Sequence, residues 1–392
     1  MTMGVRALLL AAFGWFALGG SALAQTAAAP NTLVDVGGHK LNVRVSGTAN
    51  PGVPTVVFES GLGSPIGAWF SVPSEIAAMT RVVAYERAGI GASEPGPEPR
   101  SIKQIVTELH ALLAKLEVPP PYVLVGHSWG GPIIHAFAAT YPKEIAGLVY
   151  EDPSDFTQTE ADILALWEKA GAKDGREGLR KMQEQIMAPA PPGLKAEYRE
   201  IDRLERGGFA ELRAAGDPPD VPVVFLIAGK PQPLPPAGTF PGDYDRYFRA
   251  NLEQRLDHFS KLSQLSSKGT LVHSSKSGHF MHSTEPELLV WAIQRVLSSS
   301  TTHPELERFV GEYTLAPKVS MMITRDGDRI FGQLTGQPAF QLYAESATTF
   351  SLKIVDARIE FEVDASGNVV GLVLAQNGRR LPGSKKIRDR SS

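Results

Sequence analysis

The residues best suited to chemistry in this 392-residue chain lie in Gly126-His127-Ser128-Trp129-Gly130, a G-x-S-x-G pattern. Tyr122-Val123-Leu124-Val125 before it reads as a strand and Pro132 to Tyr141 after it as a helix, so Ser128 stands on a sharp strand-to-helix turn. Such a turn strains the Ser backbone and presents its hydroxyl, while Gly126 and Gly130 withhold the Cβ atoms that would strike the neighbouring strand and helix. This is a setting for a nucleophile. A hydroxyl attacks well only when a base takes its proton, and nine His compete for that role. His279, in Ser277-Gly278-His279-Phe280-Met281, occupies a late turn before a helix starting near Glu285-Pro286, which fits the chain order nucleophile, acid, His. His282 is its rival; His127 reads as packing, His110 falls in a helix and His273 ends a strand. The oxyanion formed by attack needs two backbone donors. Trp129, after the nucleophile, supplies one, and Leu62 in the turn Glu59-Ser60-Gly61-Leu62-Gly63 supplies the other.

The elements that would hold these groups follow from hydrophobic period. Leu33 to Val36 and Leu41 to Val45 flank Gly37-Gly38 as a hairpin. Thr55 to Ser60, Arg81 to Tyr85, Tyr122 to Gly126, Ala146 to Tyr150, Val223 to Ala228 and Thr270 to Val272 are short apolar runs with helical patterns between most of them. Alternation of this kind predicts an α/β architecture with a mostly parallel sheet and helices on both faces. Ile102 to Leu116 carries the clearest helical period and stops at Pro119-Pro120-Pro121. From about 153 to 220 the chain shows no strand, and Thr159 to Ala170 and Glu177 to Met187 read as helices of a cap over the sheet. Ser298-Ser299-Ser300-Thr301-Thr302 reads as a polar linker closed by Pro304, so the first domain is set at 31–298, the linker at 299–304 and a second domain at 305–386. There Ile359 to Asp364 alternates strictly and Asp326-Gly327, Ser366-Gly367 and Asn377-Gly378 mark turns, which predicts a small antiparallel β-barrel-like domain.

Composition narrows the function classes. The net charge of −3, without a long Lys or Arg run, offers no surface for nucleic acid. The absence of Cys removes a disulfide framework, a thiol nucleophile and thiolate metal ligands. Residues 1–24 have a positive start ending at Arg6, an apolar stretch to about Leu18 and Ala22-Leu23-Ala24, the pattern of a cleavable secretory signal. That apolar run is shorter than the roughly 20 residues of a spanning helix, so the expectation is an exported, periplasmic or secreted chain without a stable membrane anchor after processing.

These motifs resemble the α/β-hydrolase superfamily, in the branch holding esterases, lactonases and prolyl aminopeptidases, over about Asn31 to Ser298. Glu86-Arg87-Ala88-Gly89-Ile90-Gly91-Ala92-Ser93 resembles the family's D-R-x-G-x-G-x-S turn, with Glu86 in place of Asp, and Gly278-His279 with Glu285-Pro286 resembles its histidine turn. The resemblance implies an acid just after the strand Val223 to Ala228, yet Gly229 to Pro236 holds no carboxylate. Some relatives place the acid one strand earlier, where Glu151-Asp152-Pro153-Ser154-Asp155 looks like their D-P-S turn; Asp152 is the choice, with Asp243, Asp245, Asp155 and Glu151 as alternatives. The activity implied is hydrolysis of a carboxylic ester or related acyl bond through an acyl-enzyme on Ser128, on a small ester or short peptide, with no metal or organic cofactor. A prolyl-type aminopeptidase is the alternative, since Ser128-Trp129-Gly130-Gly131 resembles that elbow, and a non-catalytic binding or scaffold protein of the same fold is the second. The tail from about Glu305 to Lys386 resembles a lipocalin-like domain appended to serine hydrolases, for which assembly into a homo-oligomer is one role the resemblance implies.

Overall fold

The apolar runs of the first domain become the strands of one eight-stranded sheet. A computed structural model describes residues 30–50, 52–231, 239–300 and 304–386, apart from 327, 328, 347, 353, 354, 356, 365 and 377. In it the strands are β1 (Thr32–Asp35), β2 (Lys40–Ser46), β3 (Thr55–Glu59), β4 (Val82–Tyr85), β5 (Tyr122–His127), β6 (Ile145–Glu151), β7 (Val223–Ala228) and β8 (Gly269–Ser274). Their order is β1-β2-β4-β3-β5-β6-β7-β8. The first hairpin pairs antiparallel and adds to β4 antiparallel, whereas β4, β3, β5, β6, β7 and β8 run parallel. Every residue of β3, β5 and β7 is buried. Strands covered on both faces have no polar side to alternate with, which is why they are continuous apolar runs in the sequence.

The helices are α1 (Val72–Ala77), α2 (Ile102–Lys115), α3 (Gly130–Thr140), α4 (Glu160–Lys169), α5 (Gly175–Met187), α6 (Pro192–Arg206), α7 (Ala210–Ala214), α8 (Tyr244–Ser263), α9 (Met281–Thr284), α10 (Pro286–Ser300) and α11 (Pro304–Glu307). In α2 the stripe Ile105, Leu109, Leu112 and Leu113 is buried, and Ser101 caps its start by accepting from the Gln104 N–H at 3.2 Å. Helices α4 to α7 form the cap between β6 and β7, and α4 opens on a capping box of Thr159 and Asp162. The stretch Ser298-Ser299-Ser300, expected as the start of a linker, is instead the last turn of α10, whose buried Leu289, Ile293, Val296 and Leu297 carry the helix through the polar serines. Among the described residues no helix is long and apolar enough to cross a membrane.

The chain divides into two compact units, the first ending at Leu297 and the second comprising the residues from Ser298 onward together with 51–53. The second is a closed antiparallel barrel in the order β10-β11-β12-β13-β14-β15-β16-β9. Its strands are β9 (Gly311–Ala316), β10 (Val319–Asp326), β11 (Arg329–Leu334), β12 (Phe340–Ala344), β13 (Thr349–Leu352), β14 (Ala357–Val363), β15 (Val369–Gln376) and β16 (Arg379–Lys385). In β14 the alternation seen in the sequence places Ala357, Ile359 and Phe361 inside and Arg358 and Glu362 outside. These side chains join Phe309, Tyr313, Ile323, Phe350 and Leu372 in one apolar cluster. The secretory signal at 1–24, Gln232 to Pro236, Thr301 and Thr302 of the expected linker, Gly327 and Asn377 lie outside the described residues.

Candidate active site

Parallel strands end together, and their carboxyl ends bring four sequence-distant segments to one edge of the sheet. The end of β3 carries the Ser60 to Gly63 turn, β5 carries Ser128, β6 carries Glu151 and Asp152, and the loop after β8 carries His279 and His282.

Ser128 has a φ of 52°, the left-handed region that L side chains rarely adopt. Its conformation is locked from both sides: its N–H donates to the Glu151 carbonyl at 3.0 Å, and its carbonyl accepts from the Gly131 and Ser154 N–H groups at 3.0 Å each. A Cβ on Gly130 would lie 2.1 Å from the Glu59 carbonyl oxygen, and one on Gly126 would lie 2.6 Å from that of Gly130. The two glycines let strand, turn and helix close around the serine.

His279 Nδ1 is 2.6 Å from Asp152 Oδ2. This bond leaves the other ring nitrogen, Nε2, for a second partner. Asp152 is itself clamped: Oδ1 accepts from Arg255 Nη2 at 2.6 Å and from the Ala228 N–H at 3.0 Å, and its own N–H donates to the Leu226 carbonyl at 2.8 Å. Burial pushes the Asp152 carboxyl up, but the Arg255 charge, the His279 bond and the Ala228 N–H outweigh it and hold the group well below the usual carboxylate range. The end of β7, where relatives of the resembled family carry an acid, here donates a backbone N–H to an acid on β6. Of the alternatives, Asp243 caps α8 through the Arg246 N–H at 3.0 Å, Asp155 binds His258 Nδ1 at 2.9 Å, and Glu151 is taken by His282. Asp245 lies in the first turn of α8.

The rival histidine has its own carboxylate. Fully buried Glu151 accepts from the His282 N–H at 2.7 Å and faces His282 Nδ1 at 2.8 Å. Consecutive residues of one strand end therefore grip two histidines of one turn. His127 does more than the packing expected of it: Nε2 lies 2.9 Å from the His279 carbonyl, and its ring centroid is 4.7 Å from that of His279. Burial lowers the His127 pKa to about 3, so the ring is neutral near pH 7 and Nε2 carries the donated proton. His127, Glu151 and His282 bring ligand atoms within 4.8 Å of one another, a donor set a cation could use. Their bonds are instead directed at each other and at the His279 carbonyl.

Leu62 and Trp129 stand at the turns after β3 and β5, and among the described residues neither backbone N–H finds a backbone acceptor. Trp129 opens α3, where the first N–H groups lack intrahelical partners. What sequence reasoning missed is Arg255, which reaches Asp152 from a helix 103 positions away. The Glu in place of Asp at position 86 also finds its reason: its longer chain accepts from Asn42 Nδ2 at 2.8 Å, the Ala92 N–H at 2.7 Å and the Ile66 N–H at 3.2 Å, knitting the turn after β4 to its neighbours.

Comparison with known proteins bears on the family of this chain. Residues 54–210 match the alpha/beta hydrolase fold family, and residues 297–385 match a domain of unknown function (DUF3471). The uncharacterized protein YqjL of Bacillus subtilis is 37% identical over 243 residues, covering 62% of this chain and 83% of that one. An AB hydrolase superfamily protein of Gibberella zeae is 24% identical, covering 66% of this chain and 90% of its own. Among solved structures, the enol-lactonase from Burkholderia xenovorans LB400 is similar at a TM-score of 0.47 and 17% identity, covering 68% of this chain and 99% of that one. Fold and relatives together support an enzyme of the α/β-hydrolase kind. The chain belongs to the α/β-hydrolase family and carries an eight-stranded β-barrel at its C-terminus.

Proposed function

We propose that the protein is an exported serine hydrolase that cleaves a carboxylic ester or related acyl bond through an acyl-enzyme on Ser128. The observation that carries the proposal is the 2.6 Å contact between His279 and Asp152, at the same sheet edge to which β5 delivers Ser128 at positive φ. Ser128 attacks the carbonyl, His279 accepts its proton and returns it to the leaving group, and the N–H groups of Leu62 and Trp129 hold the oxyanion. Asp152, kept ionised by Arg255, fixes the tautomer with Nδ1 protonated and stabilises the imidazolium. Water then releases the acyl group by the same steps.

The ester reading is favoured over the aminopeptidase by the state of two buried cap carboxylates. A free substrate amine needs an uncommitted acid, but Glu197 is bonded to Arg87, and Glu200 to Arg203 and the Ile102 N–H. Fluorophosphonate labelling of wild type and not of Ser128→Ala, with a short nitrophenyl ester turned over faster than a prolyl naphthylamide, is the expected outcome. An unlabelled but folded wild type would favour a binding protein, and faster amide turnover would favour the peptidase. Export rests on the signal pattern at 1–24 and is tested by finding Gln25 as the N-terminus of the secreted form. For the barrel, assembly into a homo-oligomer is a proposal that sedimentation of the full chain would test.

A further inference from the structure

Arg87 is buried at 3% exposure, and each of its five N–H donors has an acceptor. Nη1 donates to Glu59 Oε1 and to the Ser60 carbonyl, both at 2.6 Å, and Nη2 donates to the Gly61 carbonyl at 2.8 Å. Nε and Nη2 donate to the two oxygens of Glu197 at 2.6 and 2.8 Å, a planar two-pronged pair. Glu59, at the end of β3, also accepts from the Tyr85 hydroxyl.

Two of these contacts bear on the proposed oxyanion hole. A trans peptide is planar, so its C=O and the following N–H point in opposite directions. The Gly61 carbonyl belongs to the same peptide as the Leu62 N–H. Holding that carbonyl on the guanidinium turns the Leu62 N–H to the other side of the loop, and holding the Ser60 carbonyl fixes the preceding peptide as well. Rotation of either plane would break a bond to a buried cation. The other end of the guanidinium is held by α6 of the cap. There the backbones of Gly193 and Gly89 touch, since a Cβ on Gly193 would come within 2.1 Å of the Gly89 carbonyl oxygen. One helical turn on, the same face of α6 delivers Glu197 to Arg87.

We propose that Arg87 is the positioning residue of the oxyanion loop and that Glu197, by holding Arg87, ties the orientation of the Leu62 N–H to the seating of the cap. This inference rests on the acyl-transfer reading above. It gives the cap a part in catalysis beyond shaping a pocket: a cap lifted from the turn after β4 withdraws Glu197 and loosens Arg87, leaving the Gly61 carbonyl to the weaker restraint of the Ser64 N–H, which donates to it at 3.2 Å.

The test compares a short nitrophenyl ester with its thionoester, whose sulfur accepts hydrogen bonds more weakly, in wild type, Arg87→Lys and Glu197→Gln. Lysine keeps the charge but offers three donors from one point, and glutamine turns one acceptor facing Arg87 into a donor. Both variants are expected to lower kcat for the ester by roughly 10- to 100-fold with KM little changed, while the thionoester rate falls much less. Parallel losses on both substrates, or an unchanged ratio between them, would overturn the proposal. Fluorophosphonate titration counts competent sites, so partial unfolding of one variant does not mask the ratio in the other. A wild type that fails to label removes the acyl-transfer reading itself; variants that label fully and keep the wild-type ratio remove the positioning role of Arg87 and its tie to the cap while leaving acyl transfer standing.

Discussion

The sheet unit and the barrel solve the same packing problem with opposite interiors. Among the described residues, the buried polar and charged side chains all fall between His39 and His282, and the ones around the site form linked sets: Arg87 with Glu59 and Glu197, Glu151 with His282, Asp152 with Arg255 and His279. The barrel interior is lined by Phe309, Tyr313, Ile323, Phe350, Ile359, Phe361 and Leu372, and the one hydroxyl among these bonds to the Phe309 carbonyl at 2.7 Å. Buried ions are weak sources of stability because desolvation offsets most of their attraction. Their concentration at one sheet edge therefore marks a region built for chemistry, whereas a uniformly apolar interior is built for packing.

The largest expected effect breaks the polar side of this contrast. Asp152→Asn preserves shape at a φ of 40°, which asparagine tolerates, but sets an amide against His279 and favours the wrong tautomer. A fall of about 10⁴-fold in kcat is expected, read from steady-state ester hydrolysis. The stability effect has a definite sign. The folded carboxyl titrates below the ordinary aspartate value, so its contribution is complete above about pH 4 and is lost as pH falls through the lower folded value. Wild type should be the more stable at pH 7, with the two proteins converging in acid; a constant gap across pH would show that Asp152 is not held ionised by Arg255.

How far the sequence foretold this edge depends on the range of the interactions. The Ser128 turn was readable because motif, strand, glycines and helix are contiguous. The sheet was readable because buried parallel strands leave unbroken apolar runs. Asp152 could be singled out by its turn, but ranking it firmly above Asp243, Asp245, Asp155 and Glu151 needed coordinates, since neighbours on a strand point to different sides and a helix cap shows only once its helix is placed. Arg87 stood inside a recognised motif, yet its partner Glu197 is 110 positions away on α6, a 15-residue helix whose charged composition hides a sparse buried apolar set of Leu194, Ala196 and Leu204. The 20-residue α8, which delivers Arg255, buries only Ala250, Phe259 and Ser263 fully and gives no strong period. The Ser298 to Ser300 run misled for the converse reason: composition suggested a linker where the preceding apolar stripe extends the helix.

The apolar side of the contrast is broken by a cavity. Phe361 packs its ring 4.3 Å from that of Phe309 and 5.6 Å from that of Phe350, so Phe361→Ala opens a hole in an interior with no polar network to rearrange. A loss of about 3–5 kcal/mol is expected for the barrel, measured by hydrogen exchange in β14 and β15. All five tryptophans, Trp15, Trp69, Trp129, Trp167 and Trp291, precede Leu297, so Trp fluorescence reports on the sheet unit alone. Its unfolding transition should not move; a shifted transition would show the two units to be one cooperative body.

The smallest effect, taken per pH unit, separates the two interiors by acid alone. His127 is buried and its pKa is lowered to about 3, against about 6.5 in an unfolded chain. Above about pH 6.5 both states are neutral and the residue adds no pH dependence. Between about pH 6.5 and about 3 the unfolded chain binds a proton that the folded chain refuses, so stability falls by about 1.4 kcal/mol per pH unit from this group. His127→Gln keeps a donor in reach of the His279 carbonyl and cannot titrate. Urea unfolding followed by Trp fluorescence should therefore show a shallower acid slope for the variant than for wild type. Hydrogen exchange from the barrel strands should show the same pH dependence of stability in both proteins, because the barrel has no buried histidine to protonate. Equal slopes by fluorescence would mean that His127 is already charged in the folded protein, and the His279 carbonyl would then be held by an imidazolium.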